Sequence, residues 1–267
     1  SATWQEAVIG YGDQLLATGM ARGARARGRR IAFGHGGRIR WDSRSELVFR
    51  GNPNIAPPGA EGAADLEWMP YFKGHRLYNR EDPGAGRWIW NLDFRPTPGE
   101  LFLSPGEKLR ARRFGQGFVL IEPHVPAEKS VAPNKDWGFA RYQAVADALI
   151  KAGLKVAQFK SGGRPILEGV QPLATVDFRD AVAVLGQARL YIGPEGGLHH
   201  GAAAMGTGAV VLFGGFIPPA VTGYPDHANL TGGAEACGHF TACPHCRAAM
   251  DAIAVDEVIA AAREKLG

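Results

Sequence analysis

Long apolar runs are missing from this 267-residue chain, and cysteine is nearly missing. No run approaches the roughly 20 apolar residues that a membrane-spanning helix needs, so no such span is expected. No secretory signal is visible; Ser1-Ala2 reads as a processed start, which leaves open a removed segment. The expected location is cytoplasmic. The three cysteines all fall between residues 237 and 246, too few and too close for a disulfide framework. Thiols clustered in this way point to metal binding in a reducing compartment. Internal repeats and low-complexity tracts are also lacking, which sets aside solenoids and tails.

What remains is the composition of a soluble globular protein, with 45% hydrophobic and 21% charged residues. The length suits one large domain or two small ones. Thirty-seven glycines and 18 prolines imply many loops. The net charge of +4 fits an anionic ligand such as a nucleotide and permits nucleic acid. Much of that charge sits at residues 22–30, where a solvated helix face is the plainer reading.

Residues 191–214 carry the clearest pattern. An apolar run enters Gly193-Pro194, Gly196-Gly197 allow a sharp turn, and an Ala-rich helix follows from His199 to Met205. Residues 209–213 then form a short apolar run bounded by glycines, as a buried parallel strand would be. A helix start behind a glycine turn offers free N–H groups and a positive dipole, which suits phosphate. The plainer reading is an ordinary strand-to-helix connection.

Upstream, residues 6–9 read as a weak strand. A turn at residues 10–13 follows, with Asp13 as cap of a helix carrying Leu15, Leu16 and Met20, and another strand begins at Ala32. Residues 35–115 resist a regular reading, with short strands expected at 38–41, 46–50, 75–79 and 87–94. Residues 116–214 alternate cleanly. Strands are expected at 118–121 and 154–159, an amphipathic helix at 139–151 and another helix at 178–186 led by Asp177. Such alternation predicts a parallel sheet with ligands beyond its carboxyl ends. A last helix buries Val255, Val258, Ile259 and Ala262.

Three pieces resemble one family in order. Gly12-Asp13-Gln14-Leu15-Leu16-Ala17-Thr18 resembles the N-terminal element of family-nine glycosyltransferases, the heptosyltransferase-like group. Asn134-Lys135-Asp136-Trp137 resembles that family's Lys-x-Trp-Pro entry to its second lobe, with Gly138 in place of the proline. Glu195-Gly196-Gly197-Leu198-His199-His200 resembles its Asp-Thr-Gly-x-x-His turn. The resemblance implies an α/β, GT-B-like fold of two Rossmann-like lobes. They would be an abbreviated acceptor-side lobe at 1–115 and a nucleotide-sugar lobe at 116–267, the latter including a cysteine segment at 231–247. It implies an inverting hexosyl- or heptosyltransferase-like enzyme that uses a nucleotide-diphosphate sugar. The acceptor would be a hydroxyl on a glycan, a protein or a modified base, in surface glycan or protein glycosylation. By resemblance Asp13 is the base and Lys135 the phosphate cation, with Lys129 as substitute. Glu195, Gly196, Gly197 and His200 bind the donor, while His199 has no counterpart and reads as solvated. No catalytic metal is expected.

The segment from Cys237 to Cys246 holds three thiols and two imidazoles. Cys243-Pro244-His245-Cys246 is a CxxC knuckle, and Cys237 with His239 or another group completes a tetrahedral site for structural zinc or iron. Some relatives that modify proteins carry cysteine-ligated iron in a similar tail; free thiols are the alternative. Two rival functions stand beside the transferase. One is another reaction of the same fold, epimerisation or hydrolysis. The other is a catalytically degenerate binding module, with the basic helix and knuckle docking nucleic acid.

Overall fold

The structure, a computed structural model, describes residues 9–71, 75–126 and 129–267. The weak strand expected at residues 6–9 falls almost wholly outside them. Among the described residues no helix is long and apolar enough to cross a membrane.

The first element among the described residues is helix α1 (Tyr11–Arg25), followed by strands β1 (Arg30–His35) and β2 (Arg38–Ile39). Helix α2 (Ser43–Phe49) and strand β3 (Leu66–Met69) come next. β1 lies at the centre of a three-stranded sheet, parallel to β3 and antiparallel to β2. Leu15, Ala17 and Ala21 of α1 pack on Ile31 and Phe33 of β1 and on Val48 and Phe49 of α2. The strand expected at 46–50 is thus helical. Asp42 decides it: its carboxylate accepts from the N–H groups of Arg44 (2.9 Å) and Ser45 (2.7 Å), an N-cap that overrides the β-like composition of Glu-Leu-Val-Phe. Asp13 is likewise not the cap of α1. It lies in the first turn and reaches back to the N–H of Gly10 at 3.1 Å.

Strands β4 (His75–Arg76), β5 (Asn79–Asp82) and β6 (Arg87–Trp90) form a separate antiparallel meander. Helix α3 (Pro105–Arg112) follows, in a stretch for which no element was expected. Its signal is Ser104-Pro105-Gly106-Glu107: Ser104 and Glu107 cap each other's N–H groups, and proline fits the first helical position.

The second half is the regular one. β7 (Val119–Ile121), α4 (Phe139–Lys151), β8 (Val156–Phe159), β9 (Gln171–Leu173) and α5 (Phe178–Leu185) lead to β10 (Leu190–Pro194). Then come α6 (Gly197–Met205), β11 (Gly208–Leu212), the short α7 (Pro219–Thr222), β12 (Ala228–Leu230), α8 (Pro244–Ala252) and α9 (Val255–Leu266). The six strands are all parallel, in the order β12-β11-β10-β7-β8-β9. Alternation along each strand sorts the core. Val119, Ile121, Leu190, Ile192, Val210 and Leu212 face α4 and α9, whereas Leu120, Tyr191, Ala209 and Val211 face α5 and α6. Tyr142, Val145, Ala146 and Leu149 are the buried face of α4, as its periodicity predicts. The helix α8 was not expected; it takes up Cys246 and starts on Pro244.

The strand order reverses between β7 and β10. A parallel sheet opens a crevice beyond the carboxyl ends of its strands at that point, and loops there bind ligands.

One buried ion network ties the two halves. Arg179 on α5 is 2% exposed. It donates to both oxygens of Glu107 on α3 and to the carbonyl of Leu47 at 3.0 Å. Burial alone would raise the Glu107 pKa, but the bonds from Arg179 and the Ser104 cap win and bring it down to about 2. Arg179→Met removes the buried cation and leaves the Glu107 carboxylate to the Ser104 N–H and the exposed Arg50 at 3.2 Å, and urea unfolding is expected to show a loss of about 1.5–3 kcal/mol. A loss below about 1 kcal/mol, the level of a surface pair, contradicts this role.

Candidate functional site

The crevice at the switch point holds a cleft of about 540 Å³. Its walls include Tyr11 and Gly12 at the start of α1 and Arg44 on α2. Glu122, Lys129 and Lys135 come from the segment after β7, Lys160 and Arg164 from the loop after β8, and Glu195, Gly196 and Gly197 from the turn into α6. The ends of α1 and α6 meet here. A Cβ on Gly12 would stand 2.7 Å from His200 Cδ2 and 3.5 Å from the Gly196 carbonyl carbon, so only glycine allows the approach.

Lys135 donates to Glu195 Oε2, and its ammonium lies 5.2 Å from the centre of the Phe216 ring. The Glu195 carboxylate is buried, which by itself would raise its pKa; Lys135 and then His200 hold it well below the carboxylate range. Its other oxygen faces His200 Nε2 at 3.7 Å. Lys129 stands nearby: Asp13 Oδ2 and Lys129 Nζ lie 3.2 and 3.8 Å from the point where a Cβ on Gly10 would be. Removal of the Lys129 ammonium from water lowers its pKa, and the like charge of Lys135 adds to this.

The structure brings Lys129, Lys135, Glu195, Gly196 and Gly197 onto one cleft, with Asp13 beside it. It places His200 behind Glu195 instead of on the cleft wall, 2% exposed and 2.7 Å from the Tyr224 hydroxyl. His199 is not solvated. It is fully buried, its Nδ1 accepts from the Gly196 N–H at 3.1 Å, and its Nε2 donates to the Thr222 carbonyl at 2.8 Å. Burial and the neighbouring His200 keep it neutral by pushing its pKa well below the usual value. It thereby does for the start of α6 what an acidic residue does in a capping box. Gly138 departs from the family's proline because its φ of 99° lies in a region closed to proline.

Several contacts have no local sequence signal. Asp13 Oδ1 accepts from the Tyr78 hydroxyl and pairs with Arg76 Nε at 3.1 Å. Tyr11 stacks on Phe178 at 4.1 Å, with the Arg44 guanidinium 5.1 Å from the centre of the Tyr11 ring. Glu122 is 7% exposed and accepts from the His124 N–H at 3.1 Å.

The three cysteine sulfurs gather. All three lie within 4.8 Å of one another, Cys237 being 3.2 Å from Cys246 and 3.9 Å from Cys243. His239 does not join them; its side chain is exposed, and its carbonyl accepts from Asn134 Nδ2 at 3.3 Å. A three-thiol donor set at these separations fits one soft or borderline ion with a fourth position left to another group. The segment is braced on three sides. Cys237 N–H donates to the Gly215 carbonyl (2.9 Å), Trp88 N–H on β6 donates to the Gly238 carbonyl (2.8 Å), and Cys243 N–H donates to Asn134 Oδ1 (2.9 Å).

Glu122 gives a test of the cleft's polarity. Burial raises its pKa from 4.5 to about 7. The folded state therefore holds this proton more tightly than the unfolded chain. Its contribution is fully present below pH 4.5 and is lost as pH rises through about 7. Relative to Glu122→Gln, the wild type is expected to lose about 2–3 kcal/mol across that window, read from urea unfolding at each pH. Parallel stability curves for the two proteins contradict it.

Comparison with known proteins agrees with this geometry. The model of glycosyltransferase family 9 (heptosyltransferase) matches residues 85–241. Among solved structures, the iron-containing dodecameric glycosyltransferase TibC of enterotoxigenic Escherichia coli H10407 is similar at 17% identity, with a TM-score of 0.63. That match covers 97% of this chain and 74% of TibC. A family 9 glycosyl transferase from Veillonella parvula matches at 15% identity over 64% of this chain and 54% of its own, with a TM-score of 0.49. The E. coli ADP-heptose LPS heptosyltransferase II matches at 20% identity over 67% and 54%, with a TM-score of 0.46. The chain thus spans about half the length of these last two proteins, 54% of each. No curated protein matches. A family model that covers more than half of the chain, with the motifs at residues 12–18, 134–137 and 195–200 brought around one α/β cleft, places the protein in glycosyltransferase family 9.

Proposed function

We propose that the protein is an inverting glycosyltransferase that moves a sugar from a nucleotide-diphosphate donor to an acceptor hydroxyl. The observation that carries the reading is the meeting of two helix starts at a cleft ringed by Lys129, Lys135, Arg44, Lys160 and Arg164. Helix N-termini and lysines are what a departing diphosphate requires. Residues 1–115 form the acceptor side and 116–267 the donor lobe of a GT-B arrangement.

In the reaction Asp13 takes the proton of the acceptor hydroxyl as its oxygen bonds to the anomeric carbon. The bond from that carbon to the β-phosphate oxygen breaks, and the nucleoside diphosphate leaves with the electron pair. Lys135, held ready by Glu195, turns to the phosphates. The N–H groups that begin α6 complete the cradle, while His200 backs Glu195. The E. coli heptosyltransferase WaaC has been solved with ADP and with ADP-2-deoxy-2-fluoro heptose, and TibC with ADP-D-beta-D-heptose, so an ADP-sugar is the first donor to try. Of the five arginines at residues 22–30 that the rival binding-module reading invokes, Arg22, Arg27 and Arg30 are paired with Glu100, Glu67 and Asp65.

Cys237, Cys243 and Cys246 would hold a structural ion, iron or zinc. When bound it would cross-link the cysteine segment and supply no step of the transfer. Through Asn134 and Phe216 that segment props Lys135.

A thermal-shift panel of ADP-, UDP-, GDP- and TDP-sugars tests the donor site. The cognate donor at 100 times its dissociation constant is expected to add about 2.7 kcal/mol of stability, and no shift with any donor contradicts the reading. Asp13→Ala is expected to abolish transfer and leave donor binding within about threefold, whereas Lys135→Ala weakens both by about tenfold or more. Near-normal turnover of Asp13→Ala removes the base assignment. Metal analysis of untagged protein is expected to find about one ion per chain, lost in Cys243→Ser together with thermal stability. Metal-free protein of unchanged stability and activity ends the structural-ion proposal.

A further inference from the structure

The base reading leaves one cluster unused. Asp13 is met by two side chains from the β4–β5 hairpin, an element that no motif in the sequence announces. Tyr78 donates its hydroxyl to Asp13 Oδ1, and Arg76 Nε stands 3.1 Å from the same oxygen. Among the described residues the other oxygen, Oδ2, receives only the Gly10 N–H, at 3.1 Å. The Arg76 and Asp13 side chains are 10% and 13% exposed, so solvent and salt screen the pair little.

We infer that Arg76 and Tyr78 are positioning residues for the base, pinning Asp13 Oδ1 so that Oδ2 is the oxygen that takes the acceptor proton. This rests on Asp13 being the base. A carboxylate oxygen offers two lone-pair sites. The Tyr78 hydrogen bond fills one of those of Oδ1, and the Arg76 charge, paired with the same oxygen at 3.1 Å without hydrogen-bond geometry, holds it electrostatically. Oδ2 keeps one. A free carboxylate rotates about its last bond, and only part of that motion presents a lone pair to the acceptor; a fixed one is oriented before the acceptor arrives.

The hairpin is built to hold this geometry. Arg76 pairs with Asn79 across a two-residue turn that contains Tyr78. The Arg76 guanidinium lies 5.2 Å from the Trp88 ring centre and 6.0 Å from that of Tyr78. Trp88 in turn is fastened to Gly238 through its N–H at 2.8 Å. The Asp13 backbone is fixed separately, since its carbonyl accepts from the Tyr71 hydroxyl at 2.8 Å. Burial and then the charge of Asp13 keep the Tyr78 phenol protonated by raising its pKa, so it donates throughout. Burial opposes the Arg76 charge, but Asp13 and Tyr78 outweigh it, and its pKa is raised.

The test measures nucleoside diphosphate release, with water as acceptor, from ADP-heptose and from ADP-, UDP-, GDP- and TDP-glucose. The donor that the wild type turns over is then used with Arg76→Met, Arg76→Lys, Tyr78→Phe, the Arg76→Met/Tyr78→Phe double variant and Asp13→Asn. Arg76→Met is expected to lower kcat about 10–100-fold with donor KM within about twofold, and Arg76→Lys to recover about a third or more of the wild-type rate. Tyr78→Phe lowers kcat about 3–10-fold and adds little to Arg76→Met, because both act through one oxygen. If Arg76→Met fails to fold, Tyr78→Phe, which lacks a single hydroxyl, decides. A kcat within twofold of wild type in the folded variants, or a loss that appears equally in donor KM, overturns the inference while Asp13→Asn is inactive. An active Asp13→Asn overturns the base reading instead, and no release from any donor by the wild type overturns the transferase reading.

Discussion

The cleft depends on how closely the start of α1 approaches the start of α6. At Gly12 there is no room for a side chain, since His200 Cδ2 would lie 2.7 Å from its Cβ. Two helix starts brought together place two positive dipole ends at one point, which repel unless negative charge is supplied. Asp13 and Glu195 supply it in the protein itself, and each is held by a cation, Arg76 and Lys135. The crevice is thereby prepared for a further anion, and Lys129 and the cations after β8 stand around it. The sheet's switch point, the glycine turn and the two carboxylates serve the same end.

How much of this could be read in the sequence follows from distance along the chain. Glu195, Gly196 and Gly197 lie in one turn at a strand end, and the pattern of apolar runs alone puts that turn at the ligand side of the sheet. Asp13 and Lys135 required a family resemblance, because nothing local says that a carboxylate in the first turn of α1 and a lysine after β7 meet. Arg76, Tyr78 and Arg44 were not legible at all. Their partners are 63, 65 and 33 residues away along the chain, and no periodicity encodes such contacts.

The errors have physical sources too. A β-rich composition at residues 46–50 suggested a strand, yet one capping aspartate upstream set a helix. The helix α3 carried a readable capping box that a turn-rich surrounding obscured. His199 reads as solvated from the sequence because the family's turn has no counterpart to it; its ring instead replaces a capping carboxylate inside the core. The cysteines gathered as their spacing suggested, while His239 stayed outside because its backbone is committed to Asn134 and to the edge of β6.

The central claim is that the switch-point cleft holds the donor diphosphate. A crystal structure of the protein with the nucleoside diphosphate that stabilises it most tests this directly. The account predicts phosphate oxygens against the first N–H groups of α6, with Lys129 and Lys135 in contact and the Lys135–Glu195 pair loosened. A nucleotide bound elsewhere, with that pair and the cleft unchanged, would contradict it.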